Sequence, residues 1–154
     1  MRLNIGAGAD TEEGWTAWDI ADGNLAQRIT LPDASVDEIR ASHVLEHIAR
    51  AETLPTLKEW KRVLKPGGRL FVAVPDFDRI VSAMLDGAED ANMEAYIMGG
   101  QTDAHDFHHA LFNEQKMRQL LDAAGFSRAA LCGKQGTAWN CSHHWCSLNM
   151  EAFA

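Results

Sequence analysis

The sequence predicts an α/β fold with a mostly parallel sheet, and three observations carry that prediction. Strand-like and helix-like segments alternate along the 154 residues. The first strand-like run, Arg2 to Ile5, ends in Gly6-Ala7-Gly8, where the backbone can approach a ligand without Cβ interference. A second run, Trp15 to Ile20, carries Asp19 at the tip of the neighbouring strand, where a carboxylate can accept both hydroxyls of a ribose. Gly-x-Gly also ends many ordinary strands at a tight turn, so the turn counts only with the rest of the chain.

The elements follow in order. About nine residues separate the first two strands, too few for the usual crossover with its helix. The first helix is therefore expected to be shortened or missing. Arg28 to Leu31 reads as a short edge strand, and Val36 to Ser42 as a buried one after the turn-like Leu31-Pro32-Asp33-Ala34-Ser35. Ala51 to Leu64 carries Leu54, Leu57, Trp60 and Leu64 at helical spacing, with Pro66-Gly67-Gly68 as its stop. Arg69 to Pro75 is an apolar strand. Asp76 is placed to cap a helix with Phe77, Ile80, Val81, Met84 and Leu85 on one side. Residues 88 to 110 show no clear period. Asn113 caps a helix in which Met117, Leu120, Leu121 and Ala124 share a face and Gly125 ends the run. Arg128 to Cys132 and Trp145 to Phe153 are expected to close the sheet as a hairpin.

Charge selects among ligands for the glycine turn. A dinucleotide fingerprint needs a third glycine leading into a helix that receives the pyrophosphate. Thr11 stands there instead, flanked by Asp10, Glu12 and Glu13. Each close like-charge contact would cost a diphosphate roughly 1 to 4 kcal/mol. A cationic adenosyl ligand without phosphate tolerates them, and S-adenosylmethionine is such a ligand.

Length and composition narrow the rest. The chain is expected to form one domain over residues 1–154, with 46% apolar residues and no run long enough to span a membrane. Its start shows no signal-peptide pattern, and three cysteines, an odd number, fit a reducing cytoplasm better than a disulfide scaffold. The formal charge of −8 speaks against a broad nucleic-acid footprint, with Arg62, Lys65 and Arg69 as the one local basic patch. The small size and five tryptophans suggest a homodimer.

The residues also spell a resemblance. Leu-Asn-Ile-Gly-Ala-Gly, Gly14-Trp15 through Asp19-Ile20, Leu31-Pro32, Ser35 to Ile39 and Ala41-Ser42-His43-Val44-Leu45-Glu46-His47 follow in order. Glu59-Trp60-Lys61-Arg62-Val63-Leu64-Lys65-Pro66-Gly67-Gly68 and Val74-Pro75-Asp76-Phe77 come next. The whole resembles a class I S-adenosylmethionine-dependent methyltransferase of the type 11 group. It is narrowly similar to small predicted methyltransferases that carry Gly99-Gly100-Gln101 and Ser147 to Ala152.

The resemblance implies a Rossmann-like methyltransferase fold, with a seven-stranded sheet of order 3-2-1-4-5-7-6 and strand 7 antiparallel. It implies S-adenosylmethionine as cofactor, contacted by Asn4, Gly6, Ala7, Gly8, Asp19, Ile20, Gln27, Ala41, Ser42 and His43. Asp19 would hold the ribose, and Ala41-Ser42-His43 the sulfonium side. Gln27 stands where an acid often reaches the adenine amino group; its amide oxygen accepts the same bond without charge.

Methyl transfer from sulfonium mainly needs alignment and, for an oxygen nucleophile, a base. His43, His108 and His105 are the candidate catalytic residues, with packing under a loop the alternative for His43 and a solvated loop for Asp103 to His109. No metal is expected. His43, Glu46, His47 and His108 are the ligands if one binds, since a comparable Glu-x-x-Glu-His holds a divalent ion in small-RNA 2′-O-methyltransferases and ubiquinone-pathway methyltransferases. Cys141-Ser142-His143-His144-Trp145-Cys146 is too tightly spaced for a zinc knuckle.

The expected activity is methylation of a hydroxyl or amine on a small molecule or glycan precursor, without membrane or nucleic acid. A metal-assisted RNA 2′-O-methyltransferase and a non-catalytic binding subunit are the rival readings.

Overall fold

The structure is a computed structural model that describes residues 1–9, 12–132 and 144–154. Within these residues the strands are β1 (Arg2–Ile5), β2 (Trp15–Trp18), β3 (Val36–Ser42), β4 (Leu64–Pro75), β5 (Ser127–Leu131) and β6 (Ser147–Phe153). They form one sheet in the order β2-β1-β3-β4-β6-β5. The first four run parallel, and β6 lies antiparallel between β4 and β5. The helices are α1 (Thr53–Val63), α2 (Phe77–Leu85), α3 (Met93–Met98) and α4 (Glu114–Ala123).

Alternation along the strands puts Leu3, Ile5, Ile39, Leu70, Val72, Leu148 and Met150 in one buried cluster. Leu57, Trp60 and Val63 of α1 and Met117 and Leu121 of α4 complete it. Burial of each large aliphatic side chain there contributes about 1.5–3 kcal/mol. Asp76 accepts from the Arg79 backbone N–H at 3.4 Å, and Asn113 from that of Lys116 at 2.9 Å, so both predicted caps form. No helix lies between β1 and β2 among the described residues.

Three expectations need correction. The implied strand 3, at the edge of the order 3-2-1-4-5-7-6, is absent from the described sheet, because Arg28–Leu31 pairs with side chains instead of a strand. Ile29 N–H donates to Glu59 Oε1 at 2.9 Å, while the Ile29 and Leu31 carbonyls accept from Arg62 at 2.8 and 3.1 Å. Those contacts take the backbone groups that a ladder would use. Second, Pro66-Gly67-Gly68 is not a helix stop in open chain. α1 ends at Val63 and β4 starts at once, with Leu64 opposite Val36 and the ladder resuming at Glu38–Arg69. Third, of the apolar stripe on α2 only Ile80 is buried, while Met84 and Leu85 are 48% and 83% exposed. This helix lies beyond the main core, and Ile80 joins Met93 and Cys146 in a small separate cluster.

Trp18 and Trp60 are core residues, at 8% and 0% exposure. Trp139 and the first half of the Cys141–Cys146 stretch lie outside the described residues, as do Asp10 and Thr11. No helix among the described residues is long and apolar enough to cross a membrane.

Candidate cofactor and acceptor site

A cleft of about 270 Å³ opens at the carboxyl ends of β1, β2 and β3, lined by Gly6, Asp19, Ile20, Gln27, His43, His47, His105 and their neighbours. A larger hollow of about 690 Å³ lies at the opposite, amino-terminal end of the strands, among Met1, Arg2, Asp37, Lys65 and Arg69. Lys65 there pairs with Asp37 at 2.7 Å and Arg2 with Glu38 at 2.9 Å. Open parallel sheets hold ligands beyond the carboxyl ends of their strands, so the smaller cleft is the candidate site.

Gly6 and Gly8 both have positive φ, +63° and +53°. Gly6 N–H donates to the Trp18 carbonyl at 2.9 Å, tying the end of β1 to β2. Between them Ala7 is buried, and the space over Gly8 is open. Asp19 organises the turn: one carboxylate oxygen accepts from Gly8 N–H at 2.8 Å and the other from Ala21 N–H at 2.9 Å. Each oxygen retains a second lone pair for a ligand hydroxyl. Asn4 lies elsewhere. It is 1% exposed inside the sheet and accepts from Arg40 at 2.9 Å, and it does not line the cleft. Ala41 is buried and Ser42 half-buried at the end of β3.

His43 stands at the junction of two cavities. It lines both the cleft and an adjoining hollow of about 380 Å³, whose other walls include Glu46, His47, Tyr96, Asp106, His108, His144 and Cys146. The residue has φ +56°, and its ring is held at both ends. Nδ1 lies 2.9 Å from Glu46 Oε1 and Nε2 lies 2.8 Å from Ser147 Oγ. A carboxylate can only accept, so Nδ1 carries the proton and Nε2 accepts from the serine hydroxyl.

Of the other candidate histidines, His105 and His109 face the cleft, whereas His108 faces the second hollow. The loop carrying them is anchored by the Glu46 carbonyl, which accepts from the N–H groups of His109 and Ala110 at 2.7 and 3.3 Å. Within that loop the Thr102 hydroxyl and backbone N–H hold the Asp106 carboxyl below the usual carboxylate range. Burial pushes His108 down, favouring the neutral ring that can take a proton. Burial also pushes the Cys146 thiol up to about 11, so it stays protonated near neutrality.

Glu46, His47 and His108 bring one donor atom each to within 4.8 Å of one another. The Glu46 side chain is 1% exposed, and its Oε2 has no hydrogen-bond partner among the described residues. His47 Nδ1 sits 3.2 Å from the Phe107 carbonyl, which leaves Nε2 for a ligand. His43 is not a member of that group.

Sequence reasoning missed the place of Ser147 and Tyr96 at the site. Ser147 is brought to His43 by the register of β6 on β4, where it lies opposite Pro75, and no local pattern announces that pairing.

Comparison with known proteins bears on the family and the fold. The sequence profile described as a methyltransferase domain, type 11, matches residues 7–72. A probable S-adenosylmethionine-dependent methyltransferase of Mycolicibacterium smegmatis is 33% identical over 108 residues, covering 70% of this chain and 35% of that protein. The ubiquinone/menaquinone biosynthesis C-methyltransferase UbiE of Caulobacter vibrioides is 30% identical over 146 residues, covering 88% of this chain and 54% of that protein. The chain thus spans about a third to about half the length of the curated relatives it matches. A SAM-dependent methyltransferase from Archaeoglobus fulgidus superposes with a TM-score of 0.65 at 14% identity, over 99% of this chain and 85% of that one. One from Aquifex aeolicus gives 0.56 at 17%, over 99% and 80%. These two likenesses show the fold. The profile over residues 7–72 and the curated relatives make the chain similar to the class I S-adenosylmethionine-dependent methyltransferases of the type 11 group, whose cofactor is S-adenosylmethionine.

Proposed function

We propose that residues 1–154 act as one domain that transfers the methyl group of S-adenosylmethionine to a hydroxyl or amine of a small molecule or glycan precursor. The observation that carries this reading is the pair of adjoining cavities that share His43 and His47. In the first, Asp19 would hold the ribose of the cofactor and Gln27 its adenine amino group, and His43 would stand on the sulfonium side. The acceptor would occupy the second, which is rich in imidazoles. The acceptor lone pair attacks the methyl carbon, the C–S bond breaks with its electrons going to sulfur, and S-adenosylhomocysteine leaves. Alignment across the shared wall supplies most of the rate, and the acceptor proton passes to His108, held neutral by burial. Cys146 is a buried free thiol, in keeping with a cytoplasmic setting.

Calorimetric titration with S-adenosylhomocysteine tests the reading. Micromolar binding to the wild type is expected, with a loss of tenfold or more in Asp19→Ala, about 1.4 kcal/mol. No binding to the wild type would leave a methyltransferase-fold binding subunit as the better description.

One observation favours a second reading, in which a divalent ion assists an acceptor hydroxyl such as that of an RNA ribose. It is the Glu46, His47 and His108 group around an unpartnered carboxylate oxygen, a donor set that suits a divalent transition ion. The net charge of −8 opposes RNA. Electron paramagnetic resonance of added Mn²⁺ decides the ion's part: stoichiometric binding that Glu46→Gln abolishes supports it, and free-ion spectra throughout exclude it.

A further inference from the structure

We propose that α1, which contributes no residue to the cleft lining, sets the adenine specificity of the cleft through a side-chain brace on residues 25–31. The inference rests on the reading of the cleft as the cofactor site. Leu25, Ala26 and Gln27 form one of its walls, yet they belong to no helix or strand of the fold. Irregular backbone at a binding wall must be held by something other than its own ladder.

Side chains hold it here. Trp60, in the core at 0% exposure, donates its indole N–H to the Ala26 carbonyl at 2.8 Å. Trp18 donates likewise to the Leu25 carbonyl at 3.0 Å. One turn away on α1, Glu59 accepts from Ile29 N–H at 2.9 Å, and Arg62 donates to the carbonyls of Ile29 and Leu31 at 2.8 and 3.1 Å. Glu59 and Arg62 are themselves joined by two bonds of 2.8 Å, a fork geometry that fixes both side chains. The Arg62 bond holds the Glu59 carboxyl below its ordinary value and so in its accepting form.

Four backbone groups of residues 26–31, one in the wall and three just beyond it, are therefore bound by three side chains of one helix turn. Gln27 lies between the Ala26 and Ile29 anchor points, so its backbone position is set from both sides. Its amide is the group that would read the purine 6-amino position. Glu59, Trp60 and Arg62 are thus positioning residues: they touch no ligand and act through the placement of Gln27 and its neighbours.

The test compares two ligands on the intact chain, S-adenosylhomocysteine and its inosyl counterpart, in which an oxo group replaces the 6-amino group. The wild type is expected to prefer the adenosyl form. In Trp60→Phe and Arg62→Gln the preference should fall by about fivefold, the scale of one well-placed hydrogen bond. Gln27→Ala should match them and should not add to Arg62→Gln. Arg62→Gln leaves the core untouched and stands in for Trp60→Phe should that variant not fold. A thermal scan of each variant separates specificity from stability. A lowered Tm with the wild-type preference intact makes the brace merely structural and overturns the proposal, as does a wild type that binds both ligands equally. Failure of Asp19→Ala to weaken either ligand, by contrast, removes the cofactor reading of the cleft itself.

Discussion

Gly6 and Gly8 share a left-handed backbone and differ in what stands over them, which makes the pair a test of why the first strand ends as it does. A Cβ on Gly6 would sit 2.3 Å from Val44 Cγ2, an overlap that a stiff β-branched side chain cannot relieve by rotation alone. A Cβ on Gly8 would meet nothing within 4 Å. Left-handed backbone costs a non-glycine residue about 1–2 kcal/mol, and overpacking adds about 1–3 kcal/mol. Gly6→Ala is therefore expected to lose about 2–5 kcal/mol and Gly8→Ala about 1–2 kcal/mol. At about 2–4 °C per kcal/mol for a chain of this size, thermal unfolding should separate the two variants clearly. Equal losses would mean that Val44 moves aside, and that the close packing of the turn on the residue after His43 does not matter to the fold. Among the described residues His43 is the one non-glycine residue with positive φ that lines a cavity at the candidate site, a conformation seen more often in histidine than in bulkier residues.

At the scale of elements, legibility followed the range of the interactions that make each one. α1 is set by apolar spacing, and α4 by apolar spacing and its Asn113 cap, so their positions could be read directly from the chain. The shortened first crossover could be read from a residue count. Arg28–Leu31 misled because its backbone partners, Glu59 and Arg62, lie about thirty residues downstream, and nothing local tells a strand from a braced loop. The α2 stripe misled for another reason. Its period is helical, but period says nothing about whether a second layer exists to cover it. The cleft shows the same division. Gly6 and Asp19 could be located in sequence because strand ends place them, and Gln27 through the resemblance alone. Which histidine faces which cavity depends on the path of residues 99–110, and the anchor of that path is the carbonyl of Glu46, far away along the chain.

For the molecule as a whole, stability and function occupy different ends. The main cluster lies between the sheet and the α1 and α4 pair, whereas the cleft, the second hollow and the α2–α3 cluster gather at and beyond the carboxyl ends of the strands. The two regions should answer mutation differently. Leu121 is fully buried between α4 and the sheet, and Leu121→Ala removes three carbons from a packed environment. A loss of about 2–5 kcal/mol follows, a fall of roughly 4–20 °C in Tm. Leu85 belongs to an equally regular apolar stripe but is 83% exposed, so Leu85→Ser should stay within about 0.5 kcal/mol of the wild type. The comparison bears on what α2 is for in a chain that spans only part of its relatives' length. If Leu85→Ser destabilises the isolated chain as much as a core substitution does, α2 is packed in solution against a surface absent from this arrangement, and the division between a rigid core and an open functional end fails. A neutral Leu85→Ser beside a costly Leu121→Ala shows instead that stability is complete without α2's outer face, leaving that face free to change alongside the acceptor side of the site.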